Sequence, residues 1–308
     1  MRTAFASLLL AASYCHATTY FLTVAGLGGE PEYDLRFSGW AKDVDKSLKG
    51  AGDSEVVTLY APDSTKAKIE SVLRDFAGKA KKEDSLVILL MGHGTFDGTE
   101  YKFNIPGPDL SGTDLAAMLD RVPATKQLVI NTTSASGGSI ASLQRPNRIV
   151  ITATKAGTEK NATVFARYWV EALRDSAADT DKNDTITALE AFRYAEQKTT
   201  KFYLTQKRLA TEHAVLDDTG GHSGPVRDPN PENGQGLIAA RFTLMRLGSA
   251  QSAAKDPAKL KLLARKEELE QAIDKLKYEK AAMRADEYKS QLSNLLIELA
   301  QLQEELDK

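Results

Sequence analysis

Few residues in this chain are placed to do chemistry, and two stand out. His93 sits between Gly92 and Gly94, directly after the apolar run 85-SLVILLMG-92. Further on, 127-QLVINTTSASGGSI-140 leads apolar residues into a cluster of small hydroxyls and two glycines, with Ser134, 41 residues past His93, in its middle. An imidazole exchanges protons near neutral pH. A serine hydroxyl becomes a nucleophile when such a base touches it, usually with a third group orienting the base. Flanking glycines let backbone and substrate approach closely. His213 and His222 lie in a polar stretch, where a solvated ring is the expectation. The nucleophile elbow G-x-S-x-G is not found: 221-GHSGP-225 ends in Pro and follows no strand. The stretch 26-GLGGEP-31 has no lysine of the phosphate-loop kind.

A second constellation is 179-DTDKNDTITALE-190. Oxygen donors fall at positions 1 (Asp179), 3 (Asp181) and 5 (Asn183). Thr185 offers its carbonyl at position 7, Thr187 stands at 9, and Glu190 at 12 can bind through both oxygens. This is the spacing of an EF-hand calcium loop, with Ile186 as the central apolar residue. Asp184 takes position 6, where glycine is usual; Asp tolerates positive φ better than most residues. A structural calcium ion is the expectation, and an acidic loop that merely starts a helix is the alternative. N-x-T sequons occur at Asn131, Asn161 and Asn183.

These groups need elements to hold them. Buried strands are expected at 19–26, 55–61, 85–92, 127–133 and 148–154, where β-branched and apolar residues run together. Helices are expected at 34–52, at 63–81 with Asp63 or Ser64 as N-cap, at 113–122 and at about 161–176. Apolar strands alternating with helices imply an α/β fold with a mostly parallel sheet covered on both faces. Functional residues then gather at the C-terminal strand ends. That edge is where His93 and Ser134 fall. A polar insert comes next at 94–107, and a long Gly/Pro/Asp/Asn-rich loop spans 211–236. The segment 237–247 reads as strand or helix.

Composition sets the domain limits. Residues 18–247 form the α/β domain, 248–259 a linker, and 260–308 a helical hairpin or coiled coil. In that tail Leu262, Leu269, Leu276 and Met283 repeat every seven residues, and Tyr288, Leu292, Leu295, Leu299, Leu302 and Leu306 alternate by four and three. The change of register at 283-MRADEY-288 favours two antiparallel helices over one stuttered coil. Such a seam must be covered by its mate, by the core or by another chain, so self-association or a partner helix is an expectation.

The chain has 308 residues, 42% of them hydrophobic, and a net charge of −2. This gives no polybasic argument for nucleic acid or anionic membrane, and no run long enough to cross a bilayer appears past the N-terminus. Residues 1–17 read as a signal peptide: Arg2, a short apolar stretch from Ala4 to Ala12, then small residues before Thr18. A secreted or periplasmic location is expected. Cys15 is the single cysteine, so removal of the signal leaves no thiol nucleophile.

The pairing of 86-LVILLMGHG-94 with 132-TTSASG-137 resembles the caspase–legumain group of cysteine peptidases, most nearly its bacterial legumain-like members. That group shares a strand ending His-Gly and, about forty residues on, a strand ending acidic–small–Cys–x–Ser–Gly. The segment 148-RIVITATKAG-157 resembles the group's next strand, and 24-VAGLGGEPEYDLRFSGW-40 its first strand and loop. The resemblance covers 19 to about 200, loosely to 247, and not the tail. It implies peptide or amide hydrolysis of a peptide or protein substrate. His93 would be acid/base, Ser134 would stand in the nucleophile's place, and Gly94 and Ser134 would give oxyanion N–H groups. Arg36 would read a substrate side chain. Aligning Ser136-Gly137 with the group's Ser-Gly places serine where the group has cysteine; a register one residue off would bring Thr133 there. A serine needs a base in contact, which a thiolate does not. Three readings stay open: a serine-based hydrolase, a silent homologue that binds peptides, and an assembly protein.

Overall fold

The computed structural model describes residues 17–49, 54–256 and 258–308. Cys15 and almost all of the expected signal peptide lie outside the described residues. The chain opens with β1 (Thr19–Ala25), α1 (Pro31–Lys49), β2 (Ser54–Leu59), α2 (Lys66–Lys79) and β3 (Ser85–Met91). A small hairpin sheet comes next: β4 (Gly94–Phe96), β5 (Tyr101–Phe103) and β6 (Leu110–Ser111), running into α3 (Gly112–Leu119). Beyond it lie β7 (Lys126–Asn131), α4 (Ile140–Leu143), β8 (Arg148–Thr152) and α5 (Phe165–Ala172). Then β9 (Thr185–Thr187), α6 (Ala188–Thr205), β10 (Val215–Asp217), α7 (Leu237–Ala240) and β11 (Thr243–Arg246) complete the α/β domain. Three more helices end the chain: α8 (Gly248–Ala254), α9 (Leu260–Glu279) and α10 (Ala285–Leu306).

The main sheet has six strands in the order β10-β8-β7-β3-β1-β2. Every pairing is parallel except β10 with β8. The alternation inside β3 sorts side chains into two layers. Val87, Leu89 and Met91 join Phe37 and Val44 of α1, Trp169 of α5 and Phe192 of α6. Leu86, Ile88 and Leu90 join Ile69, Leu73 and Phe76 of α2 and Leu115 of α3 on the other side. Each fully buried side chain of this size contributes roughly 1.5–3 kcal/mol, so the apolar strand runs fix a sheet buried on both faces.

Several local expectations are revised. Thr65, not Asp63 or Ser64, caps α2 by accepting the Lys68 N–H. The expected polar insert folds as the β4–β5 hairpin. The expected loop 211–236 contains β10, whose three residues are too few to show a period and are fixed by pairing with β8. The segment 237–247 holds both a helix and a strand, α7 and β11. The expected linker folds as α8, because Ala250 and Ala253 pack with Leu263 and Leu306. The tail is a hairpin of α9 and α10, tied by Arg265 to Glu298 at 2.6 Å. Its α9 buries Leu263, Lys266, Leu269, Ile273 and Leu276. Lys266 Nζ donates to the Asn183 carbonyl at 3.0 Å, and Tyr278 Oη donates to the Gln235 carbonyl at 2.8 Å. Among the described residues no helix is long and apolar enough to cross a membrane.

Candidate active site

The sheet order makes β3 and β7 neighbours in register, with Leu90 opposite Asn131. Gly94 and Ser134 therefore meet at the C-terminal edge, with His93 one residue before Gly94. The Thr132 N–H and hydroxyl both donate to the Leu90 carbonyl, at 3.0 and 2.7 Å, and pin the start of the turn. After Ser134, Ala135 takes φ 54°. That left-handed geometry turns the chain back toward Gly137 and Gly138.

Ser134 is 3% exposed. Its hydroxyl donates to the Gly94 carbonyl at 3.0 Å and accepts the Gly94 N–H at 3.0 Å. Both bonds go to one peptide residue, the residue expected to supply an oxyanion donor. Among the described residues no hydrogen bond joins Ser134 to His93. Thr133 is buried deeper: its hydroxyl bonds the Tyr101 phenol at 2.6 Å and donates to Asn131 Oδ1 at 2.9 Å. Asn131 in turn donates to Ser139 Oγ at 3.0 Å, and Ser136 bonds Thr154 at 3.1 Å. The hydroxyl-rich stretch is thus a connected internal network. Asn131 is fully buried.

His93 is half-buried. Its ring packs edge-on against Tyr33 (4.9 Å between centroids) and Phe37 (5.3 Å) of α1. Burial lowers its pKa below the usual imidazole value, opposed by a hydrogen bond to the Gly28 backbone and by the charges of Asp34 and Glu30. The net direction keeps the ring neutral, the form a general base requires. The Gly28 backbone is the polar neighbour of the ring, and among the described residues no hydrogen bond joins the ring to a carboxylate. The Gly28 N–H is itself held by Asp34 Oδ1 at 2.6 Å, and a Cβ on Gly28 would lie 2.3 Å from the Asp34 nitrogen. A backbone neighbour leaves no side-chain signal in a sequence. Arg36 lies on α1, ion-paired to Glu32, with its guanidinium 5.0 Å above the Tyr33 ring. The same Tyr33 ring packs on His93.

Three further titratable groups lie near the turn. His213 Nδ1 contacts Glu159 Oε1 at 2.5 Å, and the Glu159 carbonyl accepts the Ala135 N–H at 2.8 Å. His213 is therefore paired, not solvated as expected. Glu212 is 3% exposed and accepts the Val164 and Phe165 N–H groups and the Tyr203 hydroxyl. Burial pushes its carboxyl up to about 7. In sequence these residues sit in a loop with no periodic pattern, so their clustering was not legible.

The 179–190 loop joins the end of α5 to α6. Asp184 adopts φ 65°, the conformation for which glycine is usual at that position. Oxygens of Asp179, Asp181 and Glu190 lie within 4.8 Å of one another. Asp179 accepts the N–H groups of Asn183 and Asp184. Thr185 and Thr187 lie on β9, paired with β11. Glu190 also closes a capping box with Thr187 at the start of α6. Asp181 is solvent-exposed, and partial desolvation, then Glu190 and Asp179, push its carboxyl up to about 6. Three crowded carboxylates and a preshaped turn fit a hard divalent cation held by oxygen ligands.

A family model described as the caspase domain matches residues 33–201, more than half of the chain. The chain belongs to the caspase-domain family of peptidases. No curated protein matches it by sequence. Among solved structures, it is similar to the Drosophila initiator caspase Dronc at 11% identity, covering 66% of this chain and 80% of that one, with a TM-score of 0.40. It is similar to drICE at 10% identity, covering 65% and 87%, with a TM-score of 0.41. A Geobacter sulfurreducens protein solved as a structural-genomics target shows 10% identity over 71% of this chain and 97% of that one, with a TM-score of 0.45.

Proposed function

We propose that this caspase-domain protein hydrolyses a peptide or amide bond through Ser134 and His93, and that it acts outside the cytoplasm, in a secreted or periplasmic setting. The observation that carries this is the position of His93, just past the end of β3 and next to Gly94, whose N–H and carbonyl bond the Ser134 hydroxyl. In the reaction, Ser134 Oγ forms a bond to the carbonyl carbon and its proton passes to His93. The oxygen's new charge is taken by the N–H groups of Gly94 and Ser134. The C–N bond then breaks as His93 returns the proton to the leaving amine, and water repeats the sequence to free the acid. This requires the Ser134–Gly94 bonds to part, since the hydroxyl and the oxyanion donor otherwise satisfy each other. Arg36 is proposed as a reader of the substrate side chain.

Those same two bonds favour a second reading, a silent homologue that binds peptides without turning them over. Labelling by a serine-reactive fluorophosphonate, lost in Ser134→Ala and in His93→Ala, supports hydrolysis. No labelling and no peptide turnover, with calcium present, leaves the binding reading. For the 179–190 loop we propose a structural calcium ion held by Asp179, Asp181, Asn183, the Thr185 carbonyl and Glu190; it would neutralise crowded carboxylates and fix the turn before α6. The 260–308 hairpin is proposed as a packing or self-association element, tested by the oligomeric mass of a chain ending at 259.

A further inference from the structure

The turn after β7 and the loop after β8 lie against each other beside Ser134. Gly137 is so close to the Lys155–Ala156 peptide that a Cβ there would be 2.2 Å from the Ala156 nitrogen. The Phe96 ring, at the end of β4, is wedged between these two segments. A Cβ on Gly138 would lie 2.6 Å from its Cδ2, and a Cβ on Gly157 would lie 2.3 Å from its Cδ1. Opposite edges of one ring therefore touch two glycines. Neither glycine takes a positive φ, so neither is required by backbone conformation. Their missing side chains make room for the ring. Phe96 itself is only partly buried.

The same short strand carries Gly94, whose N–H and carbonyl occupy the Ser134 hydroxyl. One three-residue element thus caps the nucleophile at one end and fills the adjoining notch at the other. Beyond β4 the chain turns at Gly98, with Asp97 accepting the Thr99 and Glu100 N–H groups, so β4 and β5 form a hairpin outside the main sheet.

We propose that Phe96 is a self-ligand: its ring holds the site shut and occupies a notch that receives a flat apolar side chain of a peptide when β4 lifts away. The inference rests on Ser134 being the position a substrate must reach. A flat ring suits the notch because its two walls are glycine Cα atoms, and any branched side chain would meet them. Displacing Phe96 and freeing the Gly94 N–H are then one motion, so a peptide that fills the notch also prepares the oxyanion donor.

The test reads accessibility at position 134 independently of catalysis. In the full chain carrying Cys15→Ser and Ser134→Cys, iodoacetamide alkylation is monitored under native conditions. It is expected to be slow, and to rise about tenfold or more when Phe96→Ala removes the block to local opening. Gly157→Ala, which pushes the ring out, is expected to act the same way and serves if Phe96→Ala does not fold. Millimolar N-acetylphenylalaninamide is expected to restore protection in Phe96→Ala. Alkylation unchanged in folded variants overturns the proposal, and failure of the amide to protect overturns the notch as an aromatic subsite. Fluorophosphonate labelling of the Ser134 forms of the same variants separates the two readings. Faster alkylation with no labelling in any variant leaves the plug standing and removes the hydrolase.

Discussion

A nucleophile free to react contributes little to the fold, whereas Ser134 is built in. Its hydroxyl joins the turn after β7 to β4 through two 3.0 Å bonds to Gly94 and is 3% exposed. Ser134→Ala removes two bonds worth roughly 1 kcal/mol each and leaves a buried N–H and carbonyl unpaired, for a net cost of about 2 kcal/mol. In a unit of this size that lowers Tm by about 4–8 °C. Differential scanning calorimetry at neutral pH is the assay, with Ser136→Ala, which leaves Gly94 untouched, as a comparison outside this contact. An unchanged or raised Tm for Ser134→Ala would refute the reasoning: the hydroxyl would then be free, as in an open site, and the Gly94 contact would not hold β4 down.

Gly94→Ala is expected to cost more, about 3 kcal/mol or above, because a Cβ would lie 2.6 Å from the Ser134 carbonyl and 2.6 Å from the Tyr101 ring, and backbone cannot yield as a side chain does; denaturant unfolding measures it. Since His93 is shifted below the ordinary imidazole value, its base form dominates at neutrality, and fluorophosphonate labelling should rise with pH to a plateau with its midpoint below about 6.5. Millimolar calcium should raise Tm by mass action, an effect lost in Glu190→Gln and fading as pH falls through about 6, where Asp181 takes up a proton. Glu212 has a folded pKa of about 7 against 4.5 unfolded. The folded state thus binds the extra proton, and stability declines as pH rises from 4.5 through 7, by about 3 kcal/mol in all; Glu212→Gln should flatten that slope in thermal melts.

The sheet and its two layers were legible because the strands carry continuous apolar runs, and β3 and β7 fall where 85–92 and 127–133 predict. The positions of His93 and Ser134 were legible for the same reason: a buried strand must end, and the residues just past its end stand at the edge. The clustering of Asp179, Asp181 and Glu190 was legible because the three carboxylates stand at fixed offsets in one short loop. The rest depended on backbone partners. The Gly28 contact to His93 and the Gly94 peptide on Ser134 use main-chain atoms, which every residue has. Phe96 read as part of a polar insert, since its placement depends on Gly138 and Gly157, more than forty residues away in sequence. The Glu159–His213 pair is equally non-local.

Where the tail helix α9 meets the α/β domain, Lys266 and Tyr278 grip the carbonyls of Asn183 and Gln235. The acceptors are main-chain oxygens, so the handholds do not depend on which donor or acceptor atoms the side chains at 183 and 235 carry. A displacement of the backbone does disturb them. Asn183 lies inside the acidic loop, and its carbonyl moves whenever that loop changes its path. The hairpin is thereby indifferent to the chemistry of the loop it touches and sensitive to its shape, as a caliper is to the thickness of a plate and not to its composition.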